Sequence, residues 1–481
     1  MTKPLWTWDE LLKAAHFAHA DGTPDRAITG FSIDTRSLKP GDVFVALKDQ
    51  RDGHEFVTAA FKAGAAAAIV SEAYKRHEGD GALLRSPVHS KSTGHDTLVA
   101  LECIGAVARQ RLDANARVIA VTGSAGKTGT KEMLRACLGR LGKVHASEKS
   151  YNNHWGVPLT LANLPADAAF AVFEIGMNHA GEIKPLAQMV RPHAAIITTV
   201  EAVHLEHFAT IEDIADAKAE IFHGLVEGGT AIIKRTNPHF ERLKGRAEAH
   251  GARVVSFGLT DDATVHVEAM TLDEDGSDLV ARIGSRRQAF RIAIPGRHIV
   301  ENALAVAAAI DAIGADVPEA LAALADLPPP AGRGARAQLS LPGGGAVLLI
   351  DESYNANPAS MRAALATLAS VPRQKFARRI AVLGDMLELG PQSQDLHRGL
   401  KDAVEEAGVD TLFACGPHMR GLYDAVKDGI KGHYAETAAG LQDALMGALR
   451  PGDVVMVKGS NGTRLGPVVA ALKERFAAPG A

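Results

Sequence analysis

Cysteine is scarce in this chain, and its few copies lie far apart. The 481 residues contain three cysteines, Cys103, Cys137 and Cys415, and their spacing matches no metal site. An odd number of scattered cysteines argues against a disulfide framework. The pattern favours reduced thiols in a cytosolic protein.

Long apolar runs are also missing from the sequence. The stretch at residues 303–313, for example, is interrupted by Asp311, and no window is long enough to span a bilayer. Near the start, Asp9 and Glu10 follow Trp6 before any apolar run develops, which is not the pattern of a secretory signal. We therefore expect a cytoplasmic protein that does not insert into a membrane.

Charge of one sign is not in excess. The formal net charge is −4, with 22% charged and 46% hydrophobic residues, the composition of an ordinary soluble protein. A chain with this balance offers no broad basic surface, which argues against nucleic acid as a partner. A chain of this length is too long for one compact core, so two or three domains are expected.

Alternating apolar strands and amphipathic helices predict three domains, residues 1–113, 114–328 and 329–481. Alternation of this kind indicates the α/β class, with largely parallel sheets covered by helices. The segment 327–332 contains three consecutive prolines and is the clearest linker, since it fits neither a helix interior nor a central strand. The predicted strands lie at residues 43–47, 66–70, 118–121, 170–175, 195–200, 231–233, 347–350, 380–383, 411–414 and 454–457.

A glycine-rich turn between the strand at 118–121 and a helical pattern predicts a nucleotide phosphate loop. In such a loop backbone N–H groups and the helix N-terminus face the phosphates, the lysine neutralises them, and the hydroxyl after it binds Mg²⁺. A glycine-rich turn with an exposed lysine is the alternative. The loop residues are Gly123, Ser124, Ala125, Gly126, Lys127 and Thr128, and they predict ATP as a ligand.

Three later segments carry polar groups at places where parallel sheets bind ligands. Glu174 ends a predicted strand and suits Mg²⁺, although a solvated strand-end glutamate fits the pattern equally well. Residues 200–207 contain two histidines and two glutamates; His204 is our prediction for a metal ligand, but spacing alone leaves the choice open. The pattern around Lys218, taken by itself, favours a solvated helix lysine.

The short loop pattern TGxxGKT resembles that of the Mur ligase family and the related folylpolyglutamate synthetases. The resemblance implies a Mg²⁺ site formed by Thr128, Glu174, His204 and Lys218, with the lysine converted to a carbamate by CO₂. A carbamate is an anion and can ligate Mg²⁺, and its formation needs a neutral amine. The family also implies a catalytic role for Lys127, which would contact the phosphates.

Further motifs extend the resemblance over nearly the whole chain. Residues 296–304 match GxHNxxNxxAA, which implies that Asn302 contacts adenine; Ile299 stands where the first Asn is usual. Arg333 after the linker matches the arginine that reaches the ATP phosphates, although a solvated linker arginine is the alternative. Asp351 is expected to meet ATP.

The segment 351–361 is the most specific motif, because it resembles the DxYNANPxSM signature of the branch that adds D-alanyl-D-alanine. The DNPR motif of the ligase for the preceding step is not found. The family implies substrate contacts from the domain interface, the YNNxxGVPxT segment and an N-terminal UDP-sugar domain. The implied substrate residues are Ser32, Asp34, Arg36, Asp52, His54, Asn152, Asn153, Tyr354 and Asn355.

The resemblance implies three domains: an N-terminal UDP-substrate domain, a central ATP-binding domain and a C-terminal Rossmann-like domain. It implies a ligase that joins D-alanyl-D-alanine to UDP-N-acetylmuramoyl-tripeptide through an acyl-phosphate, with ATP and Mg²⁺, and we expect a monomer. Alternatives are a sister ligase with another amino acceptor and a silent nucleotide-binding paralogue. The third residue of the tripeptide, diaminopimelate or lysine, stays open.

Overall fold

The structure is a computed structural model, and it describes residues 4–15, 17, 19–87, 96–148, 150–202, 205–273 and 275–477. Three separate sheets, each accompanied by helices, follow one another along the chain. This arrangement confirms the predicted α/β class. No helix in these described ranges combines the length and the apolar character needed to cross a membrane.

The first sheet has five strands in the order β1-β5-β4-β3-β2, and its strands β2 to β5 run parallel. Its elements are helices α1 (Trp8–Ala14), α2 (Val57–Lys62) and α3 (Asp96–Gln110) and strands β1 (His19–Asp21), β2 (Gly30–Ser32), β3 (Asp42–Val45), β4 (Ala67–Ser71) and β5 (Ala82–Ser86). The alanine-rich β4 is buried in the middle, as the apolar run at 66–70 predicted.

The central sheet has nine strands in the order β14-β13-β12-β11-β10-β9-β6-β8-β7. Its strands are β6 (Arg117–Thr122), β7 (Val144–Ala146), β8 (Phe170–Glu174), β9 (Ala194–Ile197), β10 (Thr230–Lys234), β11 (Arg253–Gly258), β12 (Val265–Asp273), β13 (Gly276–Ile283) and β14 (Arg286–Ile292). Its helices are α4 (Lys127–Gly139), α5 (Gly156–Ala162), α6 (Ile183–Val190), α7 (Ile211–Ala219), α8 (Phe240–Ala249), α9 (Arg297–Ala312) and α10 (Val317–Leu321).

Strands β12, β13 and β14 form an antiparallel extension that the sequence analysis did not predict. Strands β12 and β14 have one buried residue each, and β13 alternates buried with less buried residues, so none of them has the continuous apolar run by which the parallel strands were found. Together with the parallel strands β6 to β11 they make a mixed sheet. The antiparallel strands lie at the edge farthest from β8, away from the phosphate loop.

The third sheet has six strands in the order β15-β16-β20-β17-β18-β19, and β15 is an antiparallel edge. Its strands are β15 (Ala335–Ser340), β16 (Ala346–Glu352), β17 (Arg378–Gly384), β18 (Thr411–Cys415), β19 (Lys431–Ala435) and β20 (Asp453–Lys458). Its helices are α11 (Pro358–Ser370), α12 (Ser393–Arg398), α13 (Lys401–Glu406), α14 (Arg420–Ala425), α15 (Ala438–Ala448) and α16 (Leu465–Arg475). The predicted linker at 327–332 lies between helices and strands, as expected.

The first two sheets share one apolar core, because the same cluster of buried residues continues from one to the other. Helix α5, buried at every position, packs against α3. The Trp6 indole N–H donates to the Ala162 carbonyl at 2.9 Å. The Asn163 amide pairs with the backbone of Phe31, which lies on the edge strand β2. The N-terminal and central sheets therefore form one packed unit.

Replacing either of two glycines of the central domain with alanine should change the stability of the protein, in opposite directions. Gly224 lies in a 3-10 turn after α7, and a Cβ there would collide with the Ala187 carbonyl of α6. Gly245 lies exposed in α8, and nothing lies within 4 Å of a Cβ built on it. We expect Gly224→Ala to destabilise by about 1–3 kcal/mol, as overpacking does. Gly245→Ala should stabilise by about 0.5–1 kcal/mol, because alanine loses less entropy in a helix.

Urea unfolding of the two variants and the wild-type protein, followed by circular dichroism, measures both effects. A Gly224→Ala variant as stable as the wild-type protein would contradict the close packing of this turn on α6.

Candidate active site

The predicted phosphate loop joins the end of β6 to the start of α4. Gly123 and Gly126 have φ values of 146° and 83°, a region that side chains rarely adopt. A Cβ on Gly123 would collide with the Thr198 hydroxyl, and one on Gly126 would lie 2.8 Å from the Asn302 amide oxygen. The backbone of the loop is therefore specified by glycine at both positions.

A wall of residues after β9 supports this loop, and the sequence analysis missed it. The Thr198 hydroxyl donates to the Ala125 carbonyl. The Ser124 N–H donates to the Thr199 carbonyl at 2.8 Å, and the Ser124 hydroxyl accepts from the Glu201 N–H at 2.9 Å. The only signal in the sequence was a pair of threonines inside an apolar strand pattern. These contacts fix the loop before any ligand binds.

The Glu174 carboxylate lies beside the loop at the carboxyl end of β8, where it is 1% exposed. It accepts hydrogen bonds from the Thr128 hydroxyl at 2.9 Å and from the Asn152 amide at 2.8 Å. The sequence analysis assigned Asn152 to the substrate, whereas in this structure its amide contacts Glu174. Two of the predicted metal ligands, Thr128 and Glu174, are thus in direct contact.

Two lysines, the half-buried Lys127 and the buried Lys218, lie close to each other at this site. The Lys127 ammonium donates to the Gly123 carbonyl at 2.7 Å, and burial lowers its pKa against the opposing effect of Glu174. Lys218, at the end of α7, is 2% exposed. Burial and the nearby Lys127 charge lower the pKa of Lys218 well below its ordinary value. Lys218 is therefore not the solvated helix lysine that the sequence alone allowed.

The donor atoms at this site suit a hard cation, because the Thr128 hydroxyl and the Glu174 carboxylate both offer oxygen. His204 lies outside the described residues. In the described part of the chain, no three histidine, cysteine, aspartate or glutamate side chains converge as a metal site would require. A Mg²⁺ site here would thus depend on groups other than a preformed acidic cluster.

A cavity of about 370 Å³ opens over the loop between the central and C-terminal domains, and we call it the phosphate-loop cavity. From the C-terminal side Arg333 stacks over Tyr354, with the guanidinium carbon 4.5 Å from the ring centre. The Tyr354 and Ser150 hydroxyls lie 2.6 Å apart across the domain interface. Predicted residues that line this cavity are Ser124, Ala125, Gly126, Lys127, Thr128, Asn152, Glu174, Asn302, Arg333, Tyr354 and Asn355.

Two ion pairs in the same cavity were not predicted. Lys458, 3% exposed, contacts the Glu352 carboxylate at 3.3 Å and donates to the Asn355 carbonyl at 2.9 Å. Lys234 and Glu301 form a second pair at 2.9 Å. Neither ion pair could be recognised from the sequence, because its two residues lie far apart along the chain.

Asp351, which we expected to meet ATP, is not among the residues that line the cavity. Its carboxylate accepts hydrogen bonds from the Ser353 hydroxyl at 2.6 Å and the Ser353 N–H at 3.1 Å, and it lies 3.6 Å from the Lys473 ammonium. The neighbouring Glu352 lines the cavity instead. Successive side chains of a strand point to opposite faces, so the two acids at the end of β16 lie on opposite sides of the sheet.

A second cleft, of about 490 Å³, shares Lys127 and Ser124 with the first, and we call it the asparagine cleft. Its walls carry six asparagines: Asn152, Asn153 and Asn178 from the central domain, and Asn355, Asn357 and Asn461 from the C-terminal domain. Amide groups both donate and accept hydrogen bonds. The cleft therefore suits a ligand rich in peptide or hydroxyl groups.

The predicted substrate residues of the N-terminal domain lie at the carboxyl ends of β2 and β3, outside both cavities. Asp34 pairs with the exposed Arg36 at 2.6 Å, and the Ser32 hydroxyl donates to the Asp34 carbonyl. Asp52 contacts His54 at 2.6 Å; burial opposes ionisation, but hydrogen bonds from His54 hold the pKa of Asp52 below its usual value. These side chains are ordered by each other in the absence of ligand.

Family models match most of this chain. The model of the Mur ligase middle domain matches residues 121–310, and that of the Mur ligase glutamate ligase domain matches residues 336–461. The first match begins at the phosphate loop, and the second covers most of the C-terminal sheet. The matched regions thus contain the loop, Glu174, Lys218 and the asparagine-rich interface.

Named relatives are similar over nearly the full length. The UDP-N-acetylmuramoyl-tripeptide–D-alanyl-D-alanine ligase of Escherichia coli is 35% identical, over 94% of this chain and 95% of the relative. The enzyme of the same name from Bacillus subtilis is 32% identical, over 93% of each chain.

Solved structures give the same result. A crystal structure of MurF from Acinetobacter baumannii superimposes with a TM-score of 0.82 at 30% identity, covering 98% of this chain and 99% of that one. MurF from Thermotoga maritima, in complex with ADP, shares the fold with a TM-score of 0.75 at 24% identity, covering 93% and 99%. The chain belongs to the Mur ligase family, among the UDP-N-acetylmuramoyl-tripeptide–D-alanyl-D-alanine ligases.

Proposed function

We propose that this protein is an ATP-dependent ligase that adds D-alanyl-D-alanine to UDP-N-acetylmuramoyl-tripeptide, giving the pentapeptide precursor of peptidoglycan. The observation that carries the proposal is one interdomain site that joins a phosphate loop, a buried carboxylate and an amide-lined cleft. The full-length similarity to ligases of this name supports the same reaction.

The reaction begins when the γ-phosphoryl group of ATP passes to the free carboxylate of the tripeptide. The Lys127 ammonium and the loop N–H groups offset the negative charge that develops on the phosphate oxygens. The P–O bond to ADP breaks and a bond to the carboxylate oxygen forms, which leaves an acyl-phosphate. The D-alanyl-D-alanine amine then attacks the acyl carbon, a proton leaves the nitrogen, and phosphate departs.

Arg333 is placed to complete the phosphate site from the C-terminal domain. Its guanidinium lies over the Tyr354 ring, and its charge lowers the pKa of Lys127, which puts the two cations close together. Two cations from different domains are favourable together only when an anion lies between them. The Tyr354–Ser150 contact joins the two domains beside the phosphate loop. Closure of the domains over the site would exclude water that hydrolyses the acyl-phosphate.

We assign Mg²⁺ to Thr128, Glu174, His204 and Lys218, the last as its carbamate. When bound, the ion neutralises phosphate charge. The lowered pKa of Lys218 supports the carbamate, because only a neutral amine reacts with CO₂. Carbamylation would also convert the neutral buried amine into an anion that interacts favourably with the Lys127 ammonium.

We assign the UDP-sugar to the N-terminal residues Ser32, Asp34, Arg36, Asp52 and His54. Asn152, Asn153, Tyr354 and Asn355 would contact the peptide at the domain interface. Of these, the Asn153 side-chain oxygen accepts a hydrogen bond from the N–H of Gly156, the first residue of α5, so its amide N–H₂ is the group left to donate to a ligand in the cleft. We assign Asn302 to adenine, and we propose a cytoplasmic monomer that acts on small molecules and not on nucleic acid.

We expect phosphate release to depend on the dipeptide. Purified protein with ATP, Mg²⁺ and UDP-N-acetylmuramoyl-tripeptide should release phosphate only after D-alanyl-D-alanine is added, because the acyl-phosphate needs an amine acceptor. Lys127→Met should abolish release. Equal turnover with a lone amino acid would point to a sister ligase, and no turnover with any acceptor would favour a silent paralogue.

Thr198→Val should raise the KM for ATP about tenfold, because the Ala125 carbonyl of the phosphate loop loses its buried partner. Thr198→Ser keeps the hydroxyl and should stay within about twofold of the wild-type protein, within the usual effect of a conservative swap. Steady-state kinetics with varied ATP measures both. An unchanged KM in the valine variant would show that this hydroxyl does not support the loop.

Lys218→Ala should lower kcat by roughly 100-fold or more, because the metal site would lose an anionic ligand. Added short carboxylates such as acetate should restore part of the activity by occupying the vacated position. Lys184, an exposed lysine on α6, provides the matched control, and Lys184→Ala should keep full activity. Full activity of Lys218→Ala would remove the carbamate from the mechanism.

A further inference from the structure

The turn at residues 385–390 brings an apolar side chain to the asparagine cleft. It follows β17, which lies in the middle of the C-terminal sheet between β20 and β18. Leu387 on this turn is 42% exposed and lines the cleft. Among the described residues, Leu272 in the antiparallel extension is the one other large apolar side chain with comparable exposure.

The backbone that leads into Leu387 is held by buried groups. The His397 ring is fully buried; its Nδ1–H donates to the Ser393 carbonyl at 2.6 Å, and its Nε2 accepts from the Met386 N–H at 2.9 Å. The Leu387 N–H itself donates to the Ser460 hydroxyl at 3.0 Å. These two bonds fix the backbone position from which the Leu387 side chain reaches the cleft.

The turn also has an uncommon backbone. Glu388, directly after Leu387, has a φ of 63°, a left-handed conformation that costs energy for a residue with a side chain. Gly390 has a φ of 60°, and a Cβ there would lie 3.2 Å from the Glu206 nitrogen of the central domain. Strained residues of this kind cluster where ligands are clamped. The turn is thus pressed against the central domain with Leu387 directed to the cleft between them.

Leu387 lies apart from most of the residues assigned to the tripeptide. Of those residues, Asn152 and Asn153 lie on the central wall of the cleft and Asn355 lies on the C-terminal wall. Leu387 lies on the C-terminal wall together with Asn461 and Ser460, which are not assigned to the tripeptide. Lys127 lies in the same cleft, so the acyl-phosphate forms within its reach. An amine that attacks from the C-terminal side would bring the acceptor along this wall.

The chemistry of the acceptor fits this wall. D-alanyl-D-alanine carries one amide bond, one carboxylate and two methyl groups. The asparagines supply hydrogen bonds for its polar groups, but amides give a methyl group no favourable contact. Leu387 is the exposed apolar surface in the cleft, and burying a methyl group against it removes apolar area from water on both sides.

We propose that Leu387 is a specificity-determining residue that packs against a methyl group of the acceptor dipeptide, with His397 and Ser460 as its positioning residues. The proposal rests on the ligase function proposed above. It implies that the Leu387 side chain discriminates between alanine and glycine in the acceptor. A hydrophobic contact of this size discriminates by about tenfold or more per methylene.

The test compares kcat/KM for D-alanyl-D-alanine with that for the two analogues that lack one methyl group, D-alanyl-glycine and glycyl-D-alanine. In Leu387→Ala, we expect the preference for D-alanyl-D-alanine over one of these analogues to fall about fivefold or more, since the contact is lost. The KM for ATP should change less than twofold. A loss of folding or of domain closure would lower all three acceptors together and leave the ratio unchanged.

Leu272→Ala is the matched control, because it removes an equally exposed leucine far from the cleft, and its acceptor ratios should equal those of the wild-type protein. Unchanged ratios in a Leu387→Ala variant whose KM for ATP stays within about twofold of the wild-type value, as a conservative change allows, would overturn this inference and leave the proposed function intact. Absence of dipeptide turnover by the wild-type protein would overturn both.

Discussion

The buried Glu174 carboxylate is the group around which the site is arranged. It lies between the phosphate loop and the asparagine cleft, and it binds Thr128 and Asn152 through its two oxygens. The half-buried Lys127 interacts with this carboxylate, and the Lys127 charge also acts on the fully buried Lys218. Burying a cation without a counter-charge is unfavourable, and this cost lowers the pKa of both lysines.

This electrostatic imbalance explains why the site suits anions. A triphosphate on the loop would offset the Lys127 charge, and a carbamate on Lys218 would add a second anion near Lys127. The binding of substrate and the modification of the lysine would thereby relieve the same electrostatic cost. The phosphate loop itself is ready beforehand, because Thr198 and Thr199 hold its backbone from the neighbouring strand end.

Packing divides the protein into two bodies, the N-terminal and central domains together and the C-terminal domain. The N-terminal and central sheets share one apolar core, whereas the C-terminal sheet has its own clusters. Polar contacts at the interface, such as Tyr354 with Ser150, join the C-terminal domain to the rest. Both cavities lie at this interface. The chemistry therefore depends on two bodies meeting across a polar surface, a kind of contact that opens and closes at low cost.

Local motifs allowed much of this site to be predicted. The phosphate loop, Glu174, Arg333 and Tyr354 each lie in a short segment whose residue pattern is recognisable, and they line one interdomain cavity. Lys218, from another recognisable segment, lies buried near Lys127. The fold class followed from apolar runs with parallel-strand character. The antiparallel extension β12–β14 was missed, because its strands are largely exposed or alternating and leave no continuous apolar run.

The sequence by itself determined the family, the order of the domains and the chemistry of the loop, because these depend on neighbouring residues. Tertiary structure alone decided which of two adjacent acids, Asp351 or Glu352, faces the cavity, since strand alternation sends them to opposite sides. It alone paired Lys234 with Glu301 and joined the Leu387 N–H to Ser460, because these contacts join distant segments. Burial, which sets the pKa of Lys218, likewise depends on packing from every direction and leaves no mark on the local sequence.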